Sequence, residues 1–454
     1  MLWDGVDYRN AVRYEVSGGD VGRDSPVVEY SADTLPSHEE MGAGQAAVVD
    51  LALAIRTPTG FSTLPSITPY PRNRAGIVAA INSLRTLGVD GVIRFEDAVY
   101  DISMDSSSAP IVPYRGISFV GVRPSFVFNG HVPDQHFTLT SGTIFDGMNS
   151  QGVVDGALFE LNNSDQASAT SAITESGATL ARTANQFASN GQGGAIIEGL
   201  GARNVVRMFD TGAKNNVGLL YTDVRWCVCE NATADFAFKF HNFQHSKFSY
   251  LVAKSSLSTG SGFDFAANVD SSVLLPGNST VEEVYSFATN PGNRGIRFSA
   301  INTGATGSQL NEVRVARCQS NRYGSTATRS ISVTSTAGSN LLSVSASDAA
   351  WLKPEMTVVF NVSVPQWGAL NQTYFVQSVD TVANTITLAD VPMSTVSITW
   401  SQSGTYAAQS GGFPSFSIVG SGNSLITACG WEGVDVECTG STSPIVISRL
   451  RRLS

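Results

Sequence analysis

Three carboxylic acids in the middle of the chain, Asp235, Asp264 and Glu283, are the residues best placed to do chemistry. Glycoside hydrolysis needs two carboxyls, one protonated to assist the leaving group and one ionised as nucleophile or base, and their separation sets the stereochemical outcome. Asp264 and Arg297 hold equivalent places in two copies of a four-residue motif, so they are expected to stack one coil apart. Such a pair is either a surface ion pair of small energetic weight or an acid set in a groove beside a sugar-binding cation. Glu230, Glu282 and Glu312 occupy further turn positions on the same units, where a carboxylate is commonly just solvated. A second chemistry is elimination, which needs a base beside a uronate and a cation to neutralise the uronate carboxylate. His245, with Lys247, Lys239 and Arg225 near it in sequence, has the residue types for that, against the plainer role of a hydrogen-bonded turn histidine. His241 and His245 stand at i and i+4 and would converge on a metal only on a helix, which this segment does not read as. No metal and no cofactor is expected. Flat apolar ring faces recognise pyranoses, and Trp431 beside Glu432 is the leading candidate, with Trp367 and Tyr374 behind it. Trp226 falls at an inward strand position and reads as core.

The motif that must position these groups is a turn residue followed by apolar, arbitrary and apolar residues. It runs Asp235-Phe236-Ala237-Phe238, Gly262-Phe263-Asp264-Phe265, Gly295-Ile296-Arg297-Phe298 and Gly433-Val434-Asp435-Val436. Each copy follows an alternating strand, beginning at Val224, Phe248, Val284 or Leu425. A strand-turn-strand unit recurring about every 25–35 residues is the signature of a solenoid. Side chains alternate along a strand, so the phenylalanines point inward and Ala237, Asp264, Arg297 and Asp435 form an outward column. Ahead of the coils, Ile77, Ala80, Ile81 and Leu84 fall at helical spacing and Gly88 ends the run. A helix there would cap the open end of the solenoid, which otherwise exposes core and an unpaired strand edge.

Four regions emerge. Residues 1–70 show little alternation, end in a proline cluster and read as an attachment module and linker, with Ala46–Ile55 left open between helix and strand. Residues 71–328 are the solenoid, broken between Asp165 and Asn190 by a polar stretch that reads as an insertion. Residues 329–406 alternate over several strands with Asn and Asp turns, as a small antiparallel barrel or sandwich does. Residues 407–454 are a last coil and a basic tail. The fold expected is all-β: a parallel solenoid with a capping helix and an inserted antiparallel β domain.

Composition narrows the function. Of the 454 residues only 15% are charged, and the formal charge is −10. A nucleic-acid partner would demand a basic face. Five cysteines leave at least one unpaired, and Cys227 and Cys229, two apart, share a strand face where a disulfide rarely closes. They read as buried thiols formed in a reducing cytoplasm. No signal peptide and no bilayer-spanning apolar run is read, so membrane insertion is not expected.

The segment Ala75–Tyr100 (AGIVAAINSLRTLGVDGVIRFEDAVY), the irregular Gly-led coils after it, and the barrel-like stretch from Leu352 to Val379 together resemble bacteriophage tailspikes of the pectate-lyase-like right-handed parallel β-helix type. The likeness is one of architecture over roughly residues 71–445. It implies a homotrimer, a place on the virion tail, and an N-terminal module joined to a tail, baseplate or adaptor protein. It also implies binding, and often cutting, of a bacterial capsule, lipopolysaccharide O-antigen or exopolysaccharide. A non-enzymatic receptor-binding fibre and a polysaccharide lyase are the alternatives. The Asn-Thr-Asp, Asp-Asp, Gly-His-Gly and Arg-x-Lys signatures of polygalacturonases are absent, as are the carboxylate runs of pectate lyases. The resemblance therefore bears on fold and ligand class more than on reaction. For hydrolysis the residues singled out are Asp235, Asp264 and Glu283, with Arg297, His245 and Trp431 binding substrate.

Overall fold

A computed structural model of the chain describes residues 70–87, 91–103, 117–127, 138–147, 157–160, 195–211, 219–257, 259–267, 277–288, 292–300, 309–322, 329–360, 373–390 and 392–420, with Ile111, Asn290 and short strands elsewhere. The described residues are mostly β, with two long stacks of parallel strands, a shorter parallel row of Ala98–Asp101, Thr143–Asp146 and Leu200–Arg203 that joins the longer stack at Asp223–Glu230, and one closed barrel. In the longer stack, Gly91–Arg94, Ile117–Val120, Ile196–Glu198, Asp223–Glu230, Lys247–Ser255, Gly277–Ala288, Gln309–Ala316 and Leu425–Thr427 pair in that order, every pair parallel. In the shorter stack the order is Phe159–Glu160, Phe209–Asp210, Phe236–His241, Gly262–Ala267, Ile296–Ala300, Phe416–Gly420 and Ile445–Ile447, again all parallel. From Asp223 to Ala316 the chain crosses from one stack to the other with each successive strand. Side chains from both stacks meet in one core, so each coil buries against its neighbours what it could not bury alone.

The core is a ladder of rings. Phe238 stacks on Phe263 at 4.8 Å between centroids, and Phe265 on Phe298 at 5.0 Å; such pairs add about 0.5–1.5 kcal/mol beyond burial. The first motif copy sits two residues out of the expected frame. Phe238, not Phe236, pairs with Phe263, and a register shift separates Phe236 from Phe238. The run Phe236-Ala-Phe-Lys-Phe has a period of two, so a slip of two keeps a core face apolar at no cost in pattern. Ala237 is therefore a core residue, and the outward column reads Lys239, Asp264, Arg297, Ser417. The motif copy at Gly433 lies outside the described residues, and the stack continues after Ile296–Ala300 with Phe416–Gly420.

Strands of the longer stack turn a corner midway. Trp226, Tyr250, Glu283 and Arg317 have φ of 56°, 54°, 53° and 50°, in the left-handed region. The corner breaks strict alternation: Val224 and Cys227, Phe248 and Leu251, and Val281 and Val284 all enter the core although each pair is three apart. Trp226 thereby leaves the core, contrary to the sequence reading. Cys227 and Cys229 both point inward as free thiols, and burial pushes each well above its usual range.

A helix, Arg74–Leu87, places Ile77, Ala80 and Ile81 on the same core, and Asn73 accepts from the Gly76 N–H at 3.0 Å to start it. Ala47–Asp50 is a strand parallel to Gly91–Arg94, so sheet pairing begins before residue 71. The barrel closes through Arg329–Ser335, Leu342–Ser343, Thr385–Ala389, Thr373–Asp380, Thr357–Phe360 and Gly404–Gly412. Its last strand ends past the expected boundary at 406. The segment 396–400 belongs to no strand and is tied to the barrel by the Ile398 and Trp400 amides, which donate to the Leu388 and Ser339 carbonyls.

Candidate functional site

The residues proposed from sequence fall into two separate places. The first begins at Asp264. Its register partner is Arg297, whose Nε and Nη2 donate to Oδ1 and Oδ2, each at 2.9 Å. His241 Nε2 lies 2.9 Å from Oδ2, and Ser299 Oγ donates to Oδ1 at 3.3 Å. Asp264 is 0% exposed. Burial by itself would raise its carboxyl, but the Arg297 guanidinium and the His241 ring outweigh burial and hold it well below the usual carboxylate range. A carboxyl so held is ionised at neutral pH and engaged on both oxygens.

What covers it is the barrel. Glu355, in the turn before Thr357–Phe360, accepts from Arg297 Nη1 at 2.7 Å and from Arg294 Nη1 at 2.6 Å. Arg294 Nε approaches Asp235 at 3.6 Å, and Lys353 Nζ reaches the other Asp235 oxygen at 3.2 Å. Phe236, displaced outward by the register slip, lies under Arg297 and Arg294 at 4.6 and 5.0 Å, and Phe413 packs 4.0 Å from Arg294. Asp235, Asp264 and Arg297 are thus brought together, in a network that pins the inserted barrel to the shorter stack. The outward column is not an open groove.

Glu283 stands apart, on the longer stack. It accepts from the Tyr285 hydroxyl and from Arg317 Nε. Burial works to raise its carboxyl, and these two bonds more than offset it, so the net shift is downward. His245 is exposed at another left-handed corner, φ 48°, with its ring stacked on Tyr221 at 5.1 Å. The cations grouped with it are otherwise engaged: Lys247 with Glu282 at 2.6 Å, Arg225 with Glu198 at 2.8 Å, and Lys239, on the other stack, with Asp210 at 3.6 Å. Trp431 lies on Gly430–Glu432 with its backbone paired to Val315; its side chain and Trp367 are outside the described residues. Tyr374 is in the barrel core at 1% exposure.

The feature missed from sequence is a concavity of about 320 Å³ on the outer face of the longer stack. Its floor is Val228 and Val252, outward residues past the corner. Tyr285 and Phe287 form one wall, their rings parallel within 2° and 6.3 Å apart, side by side on one strand. Trp226 and Tyr250 form a second wall, stacked at 4.0 Å and 4°, with the Arg123 guanidinium 4.1 Å over the indole. Pro124 and Gln319 close the ends. The hairpin of Ser125–Val127 and Thr138–Ser141 leans over one end, where the Leu139 amide donates to Glu230 at 3.3 Å and Leu139 joins Val228, Val252 and Phe287 in a small outer cluster. A sequence signal existed, aromatic residues at 226, 250, 285 and 287 on neighbouring strands. Strict alternation hid it, since a corner reverses which residues face out.

Comparison with protein-family models, with curated proteins and with solved structures returned no match. The functional reading therefore stands on the geometry and on the architectural resemblance.

Proposed function

We propose that the chain is a right-handed parallel β-helix of the phage tailspike type that binds a bacterial surface polysaccharide through the groove on its longer stack. Chirality supports the right hand, because parallel crossover connections are right-handed in about 98% of cases. One observation carries the binding reading: large aromatic residues occupy left-handed corners. Such backbone costs an L-residue roughly 1–2 kcal/mol, and Gly199, φ 72°, holds the corresponding position one coil earlier. A corner that glycine fills without strain instead carries Trp226 and Tyr250, beside Tyr285 and Phe287. An aromatic-lined concavity with Arg123 and Gln319 at its margin suits a pyranose, which packs its apolar C–H surface on rings while its hydroxyls are bonded at the edge.

The same reading places the protein on a virion tail as a homotrimer, with residues 1–70 joined to a tail or adaptor protein and the groove turned to capsule, O-antigen or exopolysaccharide. Depolymerisation is the second reading, favoured by Glu283 at the groove's edge, an ionised carboxylate suited to act as nucleophile or base. It needs a protonated partner, and the described residues lining the groove include no carboxyl. Binding is thus the better supported half of the proposal. The test is a panel of purified capsular and O-antigen polysaccharides, scored for retention on immobilised protein and for polymer size. Retention that falls at least about tenfold, the equivalent of ~1.4 kcal/mol, in Trp226→Gly and Tyr250→Gly supports the groove. Unchanged retention in both variants would sink it. New reducing ends would establish hydrolysis, and unsaturated uronate absorbance would establish elimination.

A further inference from the structure

The groove's floor says more than its walls. Resting on the reading of the groove as a glycan site, we infer that it selects a pyranose carrying a methyl group, either a 6-deoxyhexose or an acetamido sugar. At about 320 Å³ the concavity sits at the small end of the usual ligand-pocket range of roughly 300–1,000 Å³. That is room for one or two sugar rings. Its nine lining residues are far short of a protein docking face, which engages about 20–30 residues a side.

Val228 and Val252 offer only aliphatic carbon, and Phe287 packs with them in the same buried apolar cluster. Polar groups line the sides of the groove, among them the Tyr250 hydroxyl and the Trp226 indole N–H. Arg123 is at the rim, with its side chain 50% exposed and a 3.4 Å contact to Glu198, Gln319 is at the far end, and the Tyr285 hydroxyl is committed to Glu283. A sugar hydroxymethyl directed at the valines would lose its water and find no partner there. A methyl in the same place gains apolar contact without that loss. The Tyr285 and Phe287 rings, parallel within 2°, line one side of the concavity, against which the pyranose packs while its substituent descends to the floor. The Glu283 carboxylate and Arg317 act here as positioning residues, since they hold the Tyr285 ring in that plane.

Saturation-transfer NMR on the intact protein with methyl glycosides tests this. One arm compares fucose and rhamnose with galactose and mannose; the other compares N-acetylglucosamine with glucose. The expected result is affinity roughly tenfold higher for the methyl-bearing member of at least one arm. Saturation should be strongest on that methyl, and the preference should be lost in Val252→Thr, which keeps side-chain shape and adds a hydroxyl. The arm that responds tells the 6-deoxy from the acetamido source. Equal affinities within both arms, saturation confined to ring protons, or no binding of any monosaccharide would overturn the inference while polysaccharide retention kept the groove as a glycan site. Loss of retention for the whole polysaccharide panel would overturn the glycan reading itself, and this inference with it.

Discussion

Two outward surfaces of one coil stack carry opposite chemistry, and each is the reverse of what its residues advertise. On the shorter stack the outward column is ionic, Asp264 beside Arg297, yet Asp264 is 0% exposed because the barrel lies over it. At the groove on the longer stack the lining is mainly aromatic and aliphatic, yet Tyr250 is 37% exposed and the surface is concave and open. The pleat decides which side chains leave the core. Whether they reach solvent depends on what docks upon them, a choice made by a segment some sixty residues further along the chain. Ions excluded from water need partners on every lone pair, and Asp264, Arg297, Glu355, Arg294 and Asp235 supply one another. Rings left in water stay because a strained corner holds them there.

The contrast can be broken by removing one partner from the buried side. Asp264→Asn should be the most damaging single change, costing about 3–5 kcal/mol by leaving Arg297 buried against half its charge; denaturant unfolding measures it. Asp264→Leu combined with Arg297→Met should cost much less than the two single changes summed, and full additivity would remove the case for a coupled pair. Glu355→Gln comes next, at about 2–3 kcal/mol. Its particular signature is faster hydrogen exchange across residues 329–412 without a matching rise in Asp223–Glu230.

Acid sharpens the same point. The carboxyls of Asp264 and Glu355 are held below their unfolded values, burial being outweighed by Arg297 and, for Glu355, by Arg294 as well. Unfolding therefore takes up protons. Their contribution to stability is complete above the unfolded values of 3.8 and 4.5 and declines as pH falls below them. Thermal melts of Glu355→Gln should fall less steeply than wild type below about pH 4.

On the open side the pattern is expected to invert. Trp226→Gly and Tyr250→Gly should change stability by no more than ~1 kcal/mol, since relief of left-handed strain offsets lost ring contact, while glycan retention falls about tenfold. A large loss of stability in both would make the rings structural. The smallest effect belongs to Glu283→Gln, which frees the Tyr285 ring and should weaken binding by a factor of about three, on the order of one neutral hydrogen bond.

Much of the frame is legible in the residues. Ile77, Ala80 and Ile81 announce the helix by spacing, and the Phe-x-Phe copies announce stacked strands, because burial of alternate side chains is a local rule. The inserted barrel shows as a change from Gly-led coils to Asn- and Asp-turned strands. Even the Asp264–Arg297 neighbour relation follows from counting motif positions. Three things escaped that arithmetic. Phe236-Ala-Phe-Lys-Phe is equally apolar in two registers, so the slip at Ala237 was invisible. The corners at Trp226, Tyr250 and Glu283 carry none of the glycine that would mark a left-handed turn. Glu355 lies about sixty residues from Arg297, beyond any periodicity.

Sequence alone determined the alternation, the helix that packs on the core and the presence of a second β unit, since each depends on side chains a few positions apart. Tertiary structure decided which surface is open. It folded the barrel over Asp264, which looked catalytic, and turned out of the core Trp226, which looked buried. The reason is physical: periodicity encodes the direction of a side chain relative to its own strand, and exposure depends on distant segments that pack there or leave the surface free.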